Sequence, residues 1–165
     1  RGAPIYAEIA GWGQAADGHN VAISHPEGRG LAEAMRRSLA DAQLAPAQID
    51  YVNAHATSTV AGDRSEALAL RTVFTSAGAR PRVSSTKGLT GHPLSMAGVM
   101  EAAFCSLAIR DGFTPGNVNL IVPAEAGEGL DLPRETLNAN PGIVLNNTSG
   151  FGGSNVCHVL RQWKI

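Results

Sequence analysis

The sequence has 165 residues, of which 44% are hydrophobic and 16% charged, and its formal net charge is −1. This composition predicts one globular domain, or a large piece of one, that is long enough to bury a real core. The charge argues against a nucleic-acid partner, and no apolar run is long enough to cross a membrane. The small number of cysteines, Cys105 and Cys157, favours a reducing compartment, so we expect a cytoplasmic protein.

The first third of the chain alternates strand and helix patterns, as an α/β fold requires. Residues 5–12 alternate apolar and less apolar positions and predict a strand. The loop after it carries His19 and His25, which we expect to be exposed. Residues 28–44 place apolar side chains at helical spacing, and residues 49–52 predict a short buried strand.

A second helix is predicted from Asp63, with Asp63 as its N-terminal cap and Glu66 at the third helical position. We favour this capping role for Glu66, although a functional role stays open. A short strand is then predicted at residues 82–84.

An apolar helix follows and runs to about Arg110. Helical spacing predicts one buried side, made of Ala97, Met100, Glu101, Phe104 and Ala108. A carboxylate among apolar neighbours needs a partner, and we expect a structural role for Glu101 by default.

The last quarter of the chain predicts two strands, at residues 142–147 and 155–160, after a loop-rich stretch at 111–140 without visible chemistry. The glycine-rich loop 150–153 joins the strands. It does not fit the dinucleotide-binding pattern, so a hairpin turn is favoured, with backbone N–H groups near a substrate oxygen as the functional alternative.

Three loops carry the residues that are candidates for chemistry. His55 follows one predicted strand, Lys87 and His92 follow the next, and Phe151 lies in the glycine-rich loop. Loops at the carboxyl ends of such strands bind ligands in α/β folds. We therefore expect the three loops to converge on one site for handling an acyl group.

Metal and nucleophile chemistry are both disfavoured. His55, His92, Cys157 and His158 lack zinc-motif spacing, and the last two would point to opposite faces of a strand, so we expect no metal. Cys105 and Cys157 lie in apolar segments where nothing would lower the thiol pKa. The residues thus offer acid–base or oxyanion groups without a nucleophile.

Three motifs resemble those of the β-ketoacyl-[acyl carrier protein] synthases, which belong to the thiolase-like superfamily. Residues 53–59 read N-A-H-A-T-S-T and resemble the family's N-A-H-G-T-S-T. Residues 84–92 read S-S-T-K-G-L-T-G-H and resemble S-S-T-K-x-x-T-G-H. Residues 147–155 read N-T-S-G-F-G-G-S-N and resemble N-S-F-G-F-G-G-T-N. Their order and separations also fit, over nearly the whole chain.

The resemblance implies that residues 1–165 are the C-terminal thiolase-like half of such an enzyme, a mixed sheet with helices on both faces. It implies a decarboxylative Claisen condensation between an acyl thioester and malonyl-carrier protein in fatty acid or polyketide synthesis. The implied partners are acyl carrier protein, an N-terminal half that carries the cysteine nucleophile, and a second subunit in a homo- or heterodimer. No cofactor is implied, because phosphopantetheine of the carrier protein holds the substrates.

Residue roles follow from the same resemblance. His55 and His92 would donate N–H groups to the thioester oxygen, and Lys87, paired with Glu101, would tune the site. The remaining implied roles belong to Phe151, as gate and oxyanion-hole donor, and to Thr57 and Thr59, as phosphopantetheine contacts.

The sequence departs from the family pattern at Ala56, Val60 and Ser149, where the family carries Gly, Pro and Phe. The nucleophilic cysteine is absent from this chain, so we expect no activity from it alone. The alternative is a subunit that does not elongate, such as a chain-length factor, or a ketosynthase that only decarboxylates.

Overall fold

A five-stranded mixed sheet forms the centre of the structure, a computed structural model that describes residues 2–164. Its strands are β1 (Glu8–Ala16), β2 (Tyr51–Asn53), β3 (Arg82–Ser84), β4 (Ile143–Gly150) and β5 (Ser154–Arg161). The order across the sheet is β1-β5-β4-β2-β3; the pairs of β5 with β1 and β4 are antiparallel, and those of β2 with β4 and β3 are parallel. Arg1 and Ile165, the ends of the predicted domain 1–165, lie outside the described residues.

Helices cover both faces of this sheet, as expected for an α/β fold. They are α1 (Arg29–Asp41), α2 (Val60–Val73), the single-turn α3 (Lys87–Thr90) and α4 (Ala97–Asp111). Helices α1 and α2 pack on one face, and α4 packs on the other against β4 and β5. Within residues 2–164, no helix has the length and apolar character that a membrane span requires.

Side-chain alternation along the strands separates two cores. Val52, Leu145 and Val159 point into the larger core with α1 and α2. Their neighbours in sequence, Tyr51, Val144 and Leu160, point into a smaller core with Cys105 and Ile109 of α4. This period of two is what the pleat of a strand dictates, and it leaves the central strands buried on both sides.

Two glycines allow α1 to lie directly on β1. A Cβ atom at Gly11 would come within 2.4 Å of the Ser38 carbonyl oxygen, and one at Gly13 within 2.2 Å of the Ala34 oxygen. Any side chain at these positions would push the helix away from the sheet. The small residues of this segment therefore set the distance between the first two layers of the fold.

The first strand and helix differ from their predicted bounds. The predicted strand at 5–12 is instead Glu8–Ala16, because backbone pairing with β5 continues through Gly13 and as far as Ala16. The predicted helix at 28–44 ends at Asp41, since Gln43 has a positive φ of 56° that no α-helix accommodates.

The second helix begins before its predicted start. The N-cap is Thr59 in an extended conformation, and the helix runs from Val60, so Asp63 lies inside the first turn instead of capping it. The predicted capping role of Glu66 is therefore wrong. Ala67, Leu70 and Val73, at helical spacing on this helix, are all buried.

The buried side of α4 was predicted only in part. Ala97, Glu101 and Ala108 are buried as expected, together with two residues outside the predicted stripe, Cys105 and Ile109. Helix α4 is apolar on nearly every side, so periodicity alone does not select a face. Three large apolar side chains around the start of α4 are instead exposed: Leu94 (71%), Met96 (55%) and Val99 (70%).

Candidate active site

The two candidate histidines meet at the carboxyl ends of neighbouring parallel strands. His55 lies two residues after β2, and His92 lies eight residues after β3. Their ring centroids are 5.4 Å apart and their planes meet at 87°, which is an edge-to-face contact. Two of the three loops that the sequence singled out therefore converge.

The environment of His55 keeps its imidazole neutral. The ring is half-buried, and burial lowers its pKa from 6.5 to about 4, with smaller contributions from the charge of Lys87 and from His92. Among the described residues, its Nδ1 atom has no hydrogen-bond partner. A neutral imidazole with a ring nitrogen that has no hydrogen-bond partner in the protein is suited to donate a hydrogen bond to a developing oxyanion.

Lys87 and Glu101 form a buried ion pair behind the histidines. Lys87 opens α3 and is 8% exposed, and Glu101, in the second turn of α4, is fully buried. Burial raises the pKa of the Glu101 carboxyl, whereas the hydrogen bond from Lys87 lowers it. The pair gives the buried carboxylate the partner that its position requires, and it brings one positive charge close to His55.

Glu66 holds the backbone of the His55 loop. Its Oε1 atom accepts the N–H of His55 at 2.9 Å, and its Oε2 atom accepts the N–H of Ala56 at 2.8 Å. The Asn147 amide on β4 also donates to Oε1, at 3.1 Å. Sequence reasoning missed this contribution, because the spacing from Asp63 to Glu66 matches a helix cap and carries no signal of a partner elsewhere.

The same loop is strained where it departs from the family pattern. Ala56, at the family's glycine position, has a φ of 23°, and Ser58 has a φ of 64°. Residues with a Cβ atom rarely adopt such angles. The two N–H groups held by Glu66 oppose relaxation of this turn. Next to it, the hydroxyls of Thr57 and Thr59 lie 3.2 Å apart.

Buried polar side chains join the ends of the parallel strands. The Asn53 amide on β2 donates to Asn146 Oδ1 on β4 at 2.9 Å, and the hydroxyls of Tyr51 and Ser84 lie 2.9 Å apart across β2 and β3. The Asn146 amide also donates to the Gly98 carbonyl in α4, at 3.2 Å. These bonds fix the strand ends from which the two histidine loops depart.

The loop-rich stretch at 111–140, in which the sequence showed no chemistry, supports the Lys87 loop. Asn117 accepts the N–H of Ser85 at 3.2 Å and donates to the Val83 carbonyl at 2.9 Å. It therefore acts on β3 from outside the sheet. A single asparagine in a loop gives no sequence signal for such a role.

Phe151 lies at the tip of the hairpin that joins β4 and β5, so the hairpin interpretation of the glycine-rich loop is confirmed. Its side chain is 84% exposed. Within residues 2–164, no hydrogen bond or ring contact links Phe151 to the two imidazoles. The arrival of this third loop at the site stays a prediction. A concavity beside β1, lined in part by Trp12, Arg37 and Gly152, includes neither imidazole.

The other histidines and the two cysteines are considered apart from the His55–His92 contact. His19 is exposed as expected, but His25 is half-buried and contacts the His19 ring edge-to-face. Cys157 faces the α1 side of β5, and His158, one residue later, is half-buried. Burial raises the thiol pKa of Cys105 and Cys157 well above its usual range, so both thiols are unreactive.

The described part of the chain, residues 2–164, contains no group of three or more His, Cys, Asp or Glu side chains placed to hold a metal ion.

Comparison with known proteins places the chain in a family. The family described as "Beta-ketoacyl synthase, C-terminal domain" matches residues 6–121. The 3-oxoacyl-[acyl-carrier-protein] synthase 2 of Coxiella burnetii is 42% identical over 162 residues, which cover 98% of this chain and 39% of that protein. The protein of the same name from Staphylococcus aureus (strain COL) is 36% identical over 164 residues, covering 99% of this chain and 40% of that protein. The chain thus spans about two fifths of the length of these relatives.

Solved structures agree with this placement. A β-ketoacyl synthase from Burkholderia phymatum matches with a TM-score of 0.92 and 34% identity, over 99% of this chain and 39% of that one. The ishigamide ketosynthase/chain length factor matches with a TM-score of 0.91 and 34% identity, over 99% and 40%. A type II polyketide acyl-carrier protein in complex with its ketosynthase matches with a TM-score of 0.93 and 27% identity, over 99% and 40%. The thiolase-like α/β fold is therefore confirmed, and the chain belongs to the β-ketoacyl synthase family as its C-terminal domain.

Proposed function

We propose that this chain is the C-terminal half of a condensing enzyme, which joins an acyl thioester to malonyl-[acyl carrier protein] in fatty acid or polyketide synthesis. In this reaction the bond between the malonyl carboxylate and its α-carbon breaks, and CO2 leaves. The electron pair moves onto the thioester oxygen as an enolate. The α-carbon then attacks the acyl thioester carbonyl and displaces the cysteine thiolate that held the acyl group.

The observation that carries this proposal is a neutral His55 in edge-to-face contact with His92. Decarboxylation places negative charge on one oxygen, and the N–H groups of two imidazoles can stabilise that charge by hydrogen bonding. The low pKa of His55 keeps its ring in the neutral form at physiological pH. His92 supplies the second donor from the neighbouring loop.

Lys87 and Glu101 act behind the two imidazoles in this proposal. The ammonium group lowers the pKa of His55 and so favours its neutral form. Glu101 holds the ammonium group in place through the buried ion pair. Neither side chain needs to contact the substrate for this effect.

The bound substrate would interact with three further residues in this proposal, namely Phe151, Thr57 and Thr59. The backbone N–H of Phe151 would serve a second oxyanion hole during acyl transfer, and its exposed ring would gate the acyl pocket. The adjacent hydroxyls of Thr57 and Thr59 would contact the phosphopantetheine arm.

The proposal requires partners, because neither buried cysteine of this chain can hold the acyl group. The nucleophilic cysteine would come from an N-terminal half, and acyl carrier protein would deliver the substrates to a homo- or heterodimer. We propose no resident cofactor, since phosphopantetheine arrives on the carrier protein. Free thiols at Cys105 and Cys157 agree with a cytoplasmic location.

A second candidate function is a partner subunit that does not elongate, or a ketosynthase that only decarboxylates. Similarity to solved ketosynthase and chain-length-factor assemblies supports it. His55, Lys87 and His92 argue against a non-elongating partner subunit, which would not need them for chemistry, whereas a ketosynthase that only decarboxylates would use them as the condensing enzyme does.

The residue at the nucleophile position of the N-terminal half distinguishes the two candidates. The two halves together, supplied with acyl- and malonyl-carrier protein, should form a β-ketoacyl product that depends on a cysteine there. Product formation that is lost on Cys→Ala substitution at that position supports the condensing enzyme. Release of CO2 without β-ketoacyl product, or a natural residue other than cysteine, supports the alternative.

A further inference from the structure

The turn that carries Phe151 is held by the loop that precedes α1. Gly152 and Gly153 have φ angles of 81° and 71°, which reverse the chain and leave Phe151 at the tip. The Gly152 N–H donates to the Val21 carbonyl at 2.7 Å, and the Asp17 N–H donates to the Gly153 carbonyl at 2.8 Å. The position of the turn therefore depends on the loop from Asp17 to Val21.

One buried amide completes this attachment. Asn155 is 2% exposed, and its Nδ2 atom donates to Asp17 Oδ1 at 2.9 Å and to the Gly153 carbonyl at 3.2 Å. The other carboxylate oxygen of Asp17 accepts the His25 N–H at 3.0 Å. A Cβ atom at Gly30 would lie 2.2 Å from Asp17 Oδ1, so the first turn of α1 packs directly against this carboxylate.

The orientation of this amide depends on Ser149. The Ser149 hydroxyl donates to Asn155 Oδ1 at 2.8 Å, from the residue directly opposite on β4. It is the only donor to that oxygen among residues 2–164. Without it, a buried carbonyl would lack a partner and the amide would lose the constraint that directs its nitrogen to Asp17.

Ser149 is also where this chain departs from the family motif, which has phenylalanine at that position. A phenylalanine has no hydroxyl, so this bond is a property of the present sequence. Resting on the function proposed above, we propose that Ser149 is a positioning residue for acyl transfer, which fixes the Phe151 turn through the Asn155 amide. The bond would thereby restrict the movement of the Phe151 N–H, to which the function proposed above gives the oxyanion-hole role.

The test uses the chain together with its N-terminal half and compares Ser149→Ala with Ser149→Thr. Threonine keeps the hydroxyl and suits a strand, so it should restore the wild-type behaviour. Ser106→Ala is the matched control, because among residues 2–164 its half-buried hydroxyl bonds only to the Ala102 carbonyl inside α4. Two measurements are made on each variant.

The first measurement is amide hydrogen exchange in the peptides covering residues 14–25 and 148–156. In Ser149→Ala, exchange should accelerate by about tenfold there, because the local bonds depend on the amide, and stay unchanged in β2 and β3. Unchanged exchange in the two peptides, or equal acceleration in the threonine variant, would overturn the proposal. This readout needs no activity, so it separates the positioning claim from the proposed function.

The second measurement compares acyl loading of the cysteine with CO2 release from malonyl-carrier protein. Ser149→Ala should slow loading by about tenfold while CO2 release stays at the wild-type rate, since loading alone uses the Phe151 N–H. Equal loss of both steps would indicate general destabilisation and overturn the proposal. If the wild type shows neither step, the proposed function fails, and the exchange result alone decides the positioning role.

Discussion

The donor role of His55 depends on a neutral ring, so its titration is the first property to examine. Burial and then the charge of Lys87 lower the pKa of His55 from 6.5 to about 4. That difference corresponds to about 3 kcal/mol of differential interaction with the protein between the charged and neutral forms of the ring. The neutral ring should thus persist over the whole range from pH 5 to pH 8.

The sign of the stability effect follows from proton binding. Between pH 4 and pH 6.5 the unfolded chain binds a proton at His55 that the folded chain does not bind. The contribution of His55 to the free energy of unfolding is therefore full above pH 6.5 and falls as the pH drops toward 4. The raised carboxyl pKa values of Asp63, Glu66 and Glu101 act in the opposite direction, so the effect must be measured at the ring itself.

The assay is an NMR titration of the histidine ring protons in the chain with its N-terminal half, with His55→Gln to assign the signal. A second sample carries Lys87→Met together with Glu101→Gln, because removing Lys87 alone would strand a buried carboxylate. The pKa of His55 should rise in this sample but stay below 6.5, since burial remains. Lys164→Met, at the other lysine of the chain, is the control and should have no effect. A wild-type pKa near 6.5, or no response to the double substitution, would show that burial and Lys87 do not keep the His55 ring neutral.

Three further predictions follow from the same structure. The chain alone, given acyl- and malonyl-carrier protein, should form no β-ketoacyl product, because its cysteines are buried; product detected by mass spectrometry would contradict this. The chain alone should also associate or unfold without cooperativity, because Leu94, Met96 and Val99 expose an apolar surface; a sharp transition from a monomer in calorimetry would contradict this. Ala56→Gly should raise the free energy of unfolding of the two-half protein by up to about 1 kcal/mol, because it relieves a positive φ. The measurement is denaturant unfolding, and Ala40→Gly in α1 is the control, which should lower the free energy of unfolding. A loss of stability in Ala56→Gly would show that the turn is not strained.

Residue patterns predicted the features that depend on local spacing. Alternation predicted the first strand, although with other bounds, and short apolar runs predicted the rest. The positions of His55 and His92 after two predicted strands indicated that their loops would converge, as the contact between the two rings confirms. The pairing of Lys87 with Glu101 was implied only by the family resemblance, since the residues are on different helices.

Features that depend on distant contacts were not predictable. Glu66 holds the His55 loop, but its spacing from Asp63 is indistinguishable from that of a helix cap. The buried face of α4 was missed in part, because a helix that is apolar on every side gives no periodic signal. Asn117 acts on β3 through two hydrogen bonds that no local pattern encodes.

In the proposed mechanism the two imidazoles serve decarboxylation and the Phe151 N–H serves acyl transfer, and the variant His92→Ala separates these two roles. In the chain with its N-terminal half, labelled-acyl loading and CO2 release can be measured on the same variant. Loss of one oxyanion donor should slow CO2 release by about 10²–10³-fold, and acyl loading should continue at the wild-type rate. Normal CO2 release, or equal loss of both steps, would show that His92 does not stabilise the malonyl thioester oxygen.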